Sequence, residues 1–194
     1  MSIRMALETD IPQMLAIYAP FVENTTTSFE YTVPTVQAFT ARFLEKTAKF
    51  PWLVWEEEGR VLGYAYGSAP FERAAYQWCA ELSIYLHPSI HGRGIGRKLY
   101  AAAEELLRLQ GYRKVFAIVT SENLSSVAFH EAVGYTVTAR FPAVGFKFGR
   151  WIGTIWLEKP LISGDLPTQV PVSIQSIVKN TRNLQEVLDK MPLF

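Results

Sequence analysis

Cysteine is almost missing from this chain: Cys79 is the only one in 194 residues. An internal disulfide and a thiolate metal cluster are thereby excluded, and the apolar strand pattern around Cys79 marks it as a buried structural thiol. Histidine is scarce as well. His87, His91 and His130 show neither H-E-x-x-H nor paired-ligand spacing, so a zinc hydrolase lacks its ligands, and a Ser-His-Asp hydrolase lacks a G-x-S-x-G elbow. Neither sign of charge dominates. Nineteen Lys and Arg against 18 Asp and Glu leave a formal charge of +1, which gives no broad basic footprint for nucleic acid. No run of about 18 apolar residues occurs, and the first ten residues lack the apolar centre of a signal peptide, so no membrane partner is expected and the cytoplasm is the expected location. Internal repeats and low-complexity tracts are also missing. What remains is 49% hydrophobic, enough for one main domain with a substantial core.

The apolar spacing predicts alternating strands and helices. Ile3 to Leu7 reads as a strand, and Thr9-Asp10 as a helix start with Pro12 in the first turn. Met14, Ile17, Tyr18 and Phe21 then share one helical face. Thr35 caps a second helix that sends Phe39, Phe43 and Phe50 to the core. Trp52 to Trp55 and Arg60 to Tyr66 form a hairpin across Glu57-Glu58-Gly59. Tyr76 to Leu86 is the next strand, followed by a helix with the stripe Leu99, Ala102, Ala103, Leu106 and Leu107, closed by Gly111. Lys114 to Thr120 is a strand and Leu124 to Val133 a helix, and Tyr135 to Phe141 and Thr154 to Glu158 are two more strands. The fold class is α/β (α+β), a mixed sheet with early antiparallel hairpins and one βαβ crossover. Residues 1–160 form the main domain and 161–172 a linker. An amphipathic helix is expected over 173–194, through Ile174, Ile177, Val178, Leu184, Val187, Leu188 and Met191. Its apolar face needs cover, either from its own domain or from a second copy.

The crossover carries the most informative run, His91-Gly92-Arg93-Gly94-Ile95-Gly96-Arg97-Lys98. Three cations crowd a helix start, where the macrodipole is already positive and an acidic residue would be favoured. A bound anion removes the conflict. Gly92, Gly94 and Gly96 let successive N–H groups converge on a phosphate, together with the free donors of the helix N-terminus. The spacing matches neither the Walker loop nor the dinucleotide fingerprint, so nucleotide hydrolysis and hydride transfer are disfavoured. A solvated turn is the plainer reading of the loop taken alone.

Together, Glu81-Leu82-Ser83-Ile84-Tyr85-Leu86, the glycine loop, Asn123 and Phe129-His130-Glu131-Ala132-Val133-Gly134-Tyr135 resemble the acetyl-CoA-binding core of the GNAT-superfamily N-acetyltransferases. Thr25-Thr26-Thr27-Ser28-Phe29-Glu30, Ala75-Tyr76 and Gly145-Phe146-Lys147-Phe148-Gly149-Arg150-Trp151 are similar to the phosphinothricin N-acetyltransferase branch. The resemblance covers about residues 2 to 160 and implies a GNAT fold, acetyl-CoA as co-substrate, no metal and a homodimer. It places the pyrophosphate of coenzyme A on Gly92, Arg93, Gly94, Ile95, Gly96 and Arg97. It lays the pantetheine along Ile84, Tyr85 and Leu86, with Asn123 and Ser126 beside it. His91 stands where the family usually has Gln or Arg, a change that bears on affinity or pH response.

The implied reaction moves acetyl from a thioester to the amine of a small molecule, an amino acid or analogue of the phosphinothricin or methionine sulfoximine type. An α-amino group with a pKa of about 7.7–8.0 is mostly protonated at neutrality, so a base is needed. Glu81 is that base by resemblance, and strand alternation puts it on one face with Cys79 and Ser83, opposite Leu82 and Ile84. An ion pair with an arginine is its plainer role. His130 stands where many relatives carry a tyrosine that protonates the departing thiolate. Phe29, Glu30, Arg73, Tyr76, Lys147 and Trp151 are the acceptor-site residues, with Lys147 or Arg73 for a carboxylate and Glu30 for an ammonium. Ile152-Gly153 replaces the acidic residue that often follows Trp151 in the family, which counts against phosphinothricin itself. A protein-lysine acetyltransferase and a non-catalytic acyl-CoA sensor are the alternatives.

Overall fold

Arg4 and Asp10 tie the start of the chain together in the computed structural model, which describes residues 1–164 and 169–180. The Asp10 carboxylate accepts from the Arg4 guanidinium at 2.7 and 2.8 Å and from the Leu7 amide at 2.8 Å. It therefore joins strand β1 (Ser2–Met5) to helix α1 (Ile11–Asn24) and makes no side-chain cap on that helix. Thr35 does cap α2 (Val36–Thr47), its hydroxyl accepting from the Ala38 amide at 3.1 Å. Strands β2 (Trp52–Glu57) and β3 (Arg60–Ser68) turn on Glu58 and Gly59, both at positive φ, as a tight hairpin requires. There follow β4 (Cys79–Leu86), α3 (Ile95–Gln110), β5 (Lys114–Thr120), α4 (Leu124–Ala132), β6 (Thr136–Lys147), β7 (Arg150–Pro160) and α5 (Ile174–Asn180).

The seven strands form one sheet in the order β1-β2-β3-β4-β5-β7-β6, antiparallel except for β4 beside β5. Leu82, Val115, Ala117 and Leu157 meet Leu99, Leu106 and Leu107 of α3 on one face. On the other, α1 and α2 cover β2 to β4 through Met14, Phe39, Phe43, Trp52 and Tyr64. The β4/β5 ladder stops at Glu81 and Phe116, although β4 continues to Leu86 and β5 to Thr120. Beyond that rung the strands part. The Leu82 carbonyl, next along the edge, lies 3.2 Å from the Tyr100 hydroxyl instead of in the ladder.

Two elements are longer or placed differently than the apolar pattern indicates. The β6–β7 hairpin extends about the turn at Phe148 and Gly149, and its register slips between Phe141 and Gly145, where Ala143 has a φ of 52°. Pro142 and this bulge break the alternation that would have revealed the strand. The described start of the C-terminal segment, through α5, docks on its own domain. Ile174, Ile177 and Val178 join the α3 side of the core, and Gln110 donates to the Lys49 and Val172 carbonyls at 2.7 Å each. Residues 165–168 of the expected linker and 181–194 of the expected helix lie outside the described residues.

Candidate active site

Gly92 and Gly94, at φ 73° and 75°, turn the chain from β4 into α3. The first bond of α3 runs from the Lys98 amide to the Gly94 carbonyl at 3.2 Å, so the amides of Ile95, Gly96 and Arg97 lie ahead of it, and Gly94 has no side chain to cap them. Gly96 serves packing rather than a turn: a Cβ there would lie 3.3 Å from Leu86 and Phe129. The three cations divide. Arg93 pairs with Glu57 at 2.6 Å, and Lys98 lies over the Trp55 ring at 5.5 Å. Arg97 is exposed, with no ion pair among the described residues. The anion-binding expectation thus narrows to Arg97 and the helix amides, and Arg93 is corrected to a tie between the loop and the β2–β3 hairpin.

A cleft of about 580 Å³ runs from this loop past Ile84 and Leu86 to Asn123, Ser126 and Phe129. It shares Ile84, Thr27, Asn123 and Ser126 with a narrower cavity of about 60 Å³ between the parted strands, where Tyr100 and His130 also lie. A polar end rich in N–H donors joined to an apolar trough fits a diphosphate carrying an extended arm. The Asn123 side chain accepts from the Ser126 amide at 3.1 Å and so caps α4 at the rim. His91 reaches back, its Nε2 3.2 Å from the Leu86 carbonyl. The Tyr85 side chain turns away from the cleft and packs against Tyr18 and Phe21 at 4.8 and 5.3 Å.

Glu81 occupies the last β4/β5 rung, on the face that carries Ser83, Tyr85 and, across β3, Tyr66 and Ser68. Burial pushes its carboxyl up to about 7, and only the distant charge of Lys46 opposes this. The arginine pairing expected of a purely structural carboxylate does not occur among the described residues. His130 is buried at 2% exposure. Its Nδ1 lies 2.7 Å from the Ser126 carbonyl, which can only accept, so Nδ1 carries the proton and Nε2 accepts from the Tyr100 hydroxyl at 2.8 Å. Burial lowers the imidazole pKa, which keeps the ring neutral.

An Acetyltransferase (GNAT) domain model matches residues 3–156. The chain is a GNAT acetyltransferase. It is 38% identical over 170 residues to a phosphinothricin N-acetyltransferase of Alcaligenes faecalis, covering 84% of each chain. It is 33% identical over 162 residues to an L-methionine sulfoximine/L-methionine sulfone acetyltransferase of Salmonella typhimurium, covering 83% of this chain and 95% of that one. A GNAT superfamily phosphinothricin acetyltransferase from Sinorhizobium meliloti, solved in complex with acetyl-CoA, superposes with a TM-score of 0.81 at 34% identity, over 88% of this chain and 92% of that one. The chain is thus an acetyl-CoA-dependent N-acetyltransferase.

Among the acceptor-site residues of this GNAT enzyme, two expectations are corrected. Lys147 is 2% exposed and donates to the carbonyls of Val22, Thr25 and Ser28 at 2.7, 2.9 and 2.7 Å, so its three N–H groups are used and none is left for a carboxylate. Glu30 is ion-paired with Arg42, so its charge is already partnered. Phe29 packs against Gly145, Trp151 is largely exposed against Phe146, Arg73 is exposed, and Tyr76 lies 4.6 Å from the Phe71 ring. Sequence reading missed Tyr100, which sits beside Leu99 in the α3 stripe and gives no sign of its bond to His130 thirty residues on. No group of three or more His, Cys, Asp and Glu among the described residues could hold a metal ion.

The loop assignment has a direct test. A Cβ at Gly94 would meet no protein atom within 4 Å, and Gly94 lines the cleft. A β-branched residue there also resists positive φ. Gly94→Val is expected to raise the acetyl-CoA Kd about tenfold or more by titration calorimetry, and an unchanged Kd would remove the anion from this loop.

Proposed function

We propose that the chain acetylates the free amine of a small amino acid or analogue by direct attack on acetyl-CoA, with Glu81 as general base. The observation that carries this is Glu81 itself: a half-buried carboxyl near 7, with no ion pair or hydrogen bond among the described residues, set where β4 and β5 part. A base near 7 is largely ionised at neutral pH and remains strong enough to take a proton from the acceptor's ammonium as the amine is delivered to the thioester. On the donor side, the pyrophosphate rests on the glycine turn, the free amides of Ile95, Gly96 and Arg97 and the Arg97 side chain, and the pantetheine lies along Ile84 to Leu86 with Asn123 and Ser126 at its flank. The departing thiolate takes up the proton that the attacking nitrogen sheds, by way of the Tyr100 hydroxyl, which passes one proton on as it takes another and ends neutral, with His130 Nε2 2.8 Å from it. The names of the relatives, which act on phosphinothricin and on methionine sulfoximine and sulfone, support an amino-acid acceptor.

The reading extends to domain organisation and assembly. Residues 1–160 form the catalytic domain, joined by 161–172 to the C-terminal helix. Two copies associate through the β6 side of the sheet, where β6 is an edge strand and Val144, Phe146 and Phe148 stand exposed. The enzyme works in the cytoplasm, where coenzyme A thioesters are at hand, and no helix among the described residues is long and apolar enough to cross a membrane. An amine panel with acetyl-CoA, read by thiol release and product mass, tests the reading. Free amino acids should be acetylated at millimolar concentration; turnover confined to lysines of proteins, or no turnover with any amine, would overturn it.

A further inference from the structure

An acceptor attacked with the help of Glu81 approaches from the sheet face on which Glu81 stands, and the surface beside it there is aromatic. The Cα partner of Glu81 on β5 is Phe116, and Phe116 shares that face with Ile118, whose β7 partner is Trp156. Phe71, from the loop after β3, closes the group. Its ring centre lies 5.9 Å from those of Phe116 and Trp156 and 4.6 Å from that of Tyr76. Phe141 on β6 adds an edge to Trp156 at 5.8 Å.

These rings differ from those of the core. Trp52 and Tyr64, under α1 and α2, are 0% and 1% exposed, whereas Tyr76 and Phe141 are 46% and 43% exposed. Phe71, Phe116 and Trp156 are only half-buried. Helices α1 and α2 cover β2 to β4 and leave this part of β5 and β7 open. The nearby ionic pair is already closed: Lys114 bonds Glu158 at 2.7 Å on the same face. The wall therefore offers ring faces and edges, and Lys114 is not free for a phosphinate or other anionic side chain.

Resting on the reading of Glu81 as base for amine acetylation, we infer that the preferred acceptor is an amine bearing an aryl or similarly large apolar side chain, held against Phe71, Phe116 and Trp156. Offset or edge-on contact with two or three rings holds a flat side chain well and does little for a short polar one. The bond formed is the ordinary one. Glu81 takes one ammonium proton beforehand, the free amine attacks the thioester carbonyl, the C–S bond breaks, and the second proton shed by the nitrogen passes to the sulfur, so that coenzyme A leaves as the thiol.

The test compares kcat/KM for phenylalanine, tryptophan and phenethylamine with that for methionine sulfone and phosphinothricin, in the full-length enzyme and in Phe71→Ala. The aryl amines should lead by about tenfold or more, and Phe71→Ala should lower the aryl-to-sulfone ratio by about tenfold. Melting temperature and sedimentation are followed in parallel; should Phe71→Ala not fold, Phe116→Leu takes its place. A lead for methionine sulfone or phosphinothricin would overturn the inference and leave the Glu81 reading standing. A fall for all acceptors alike, together with a change in oligomeric state, would also overturn it and mark the wall as a subunit interface. If no amine at all is acetylated, the Glu81 reading fails first and the inference with it.

Discussion

Replacing Glu81 by Gln is expected to lower kcat by about two to four orders of magnitude with little change in acetyl-CoA affinity. Glu81 stands on the opposite sheet face from the Leu82 and Ile84 side chains, and it does not line the donor cleft. The loss should therefore fall on turnover, which separates a base from a residue that merely binds. The pH profile supplies a second readout. A base must be ionised to act, so kcat/KM of the parent enzyme should rise with pH through about 7, the value to which burial pushes this carboxyl. That limb should vanish in the Gln variant, while the limb due to the amine's own ionisation persists.

Stability should move the other way. The unfolded carboxyl ionises at the ordinary 4.5 and the folded one at about 7, so between these values the folded state binds the extra proton. Stability then falls as pH rises across that window and stays low above it. Each tenfold in proton affinity is about 1.4 kcal/mol, so ionised Glu81 costs the fold about 3 kcal/mol at pH 8. Glu81→Gln should recover part of this, melting higher than the parent at pH 8 and near the parent at pH 4.5. A variant that lost both activity and stability would point to a structural carboxylate, and one as active as the parent at saturating substrates would remove Glu81 as the base. The expected trade is that of a site held ionisable against the preference of its surroundings.

How much of this was legible beforehand depended on how local the cause was. Thr35 and Asn123 cap helices within three residues of themselves, and Gly92 and Gly94 turn a loop four residues long, so those readings rest on short-range rules. The face of Glu81 follows from strand alternation alone. Its isolation does not, because burial depends on α1, α2 and β3 arriving from distant parts of the chain. Arg93 looked like a phosphate ligand from its glycine neighbours, and its partner Glu57 lies 36 positions earlier. Asp10 looked like a cap, and Arg4 claimed it. In each correction a charged group chose a partner that periodicity cannot reveal. The acceptor wall was illegible for a related reason: Phe71, Phe116, Phe141 and Trp156 come from four elements, and each alone is an ordinary strand or loop aromatic.

Lys147→Met should be the most destabilising single change in the acceptor half. Its ammonium reaches from the end of β6 to the carbonyls of Val22, Thr25 and Ser28, gathering the end of α1 and the start of the loop to α2 about one buried cation. The negative end of the α1 dipole favours a positive charge there. Methionine preserves the length and the packing but donates nothing, so three carbonyls lose their partner together. Leaving buried acceptors unsatisfied in this way costs about 3–5 kcal/mol, or on the order of 10 °C in Tm for a chain of this size. The same loop carries Thr27 into both the donor cleft and the cavity between the strands, so loosening it should also raise KM for acetyl-CoA. Lys147 is thus a positioning residue. If instead it bound the acceptor carboxylate, Lys147→Met would melt near the parent and raise KM for amino acids but not for the matching amines. Thermal unfolding, with KM for phenylalanine and phenethylamine side by side, decides between the two.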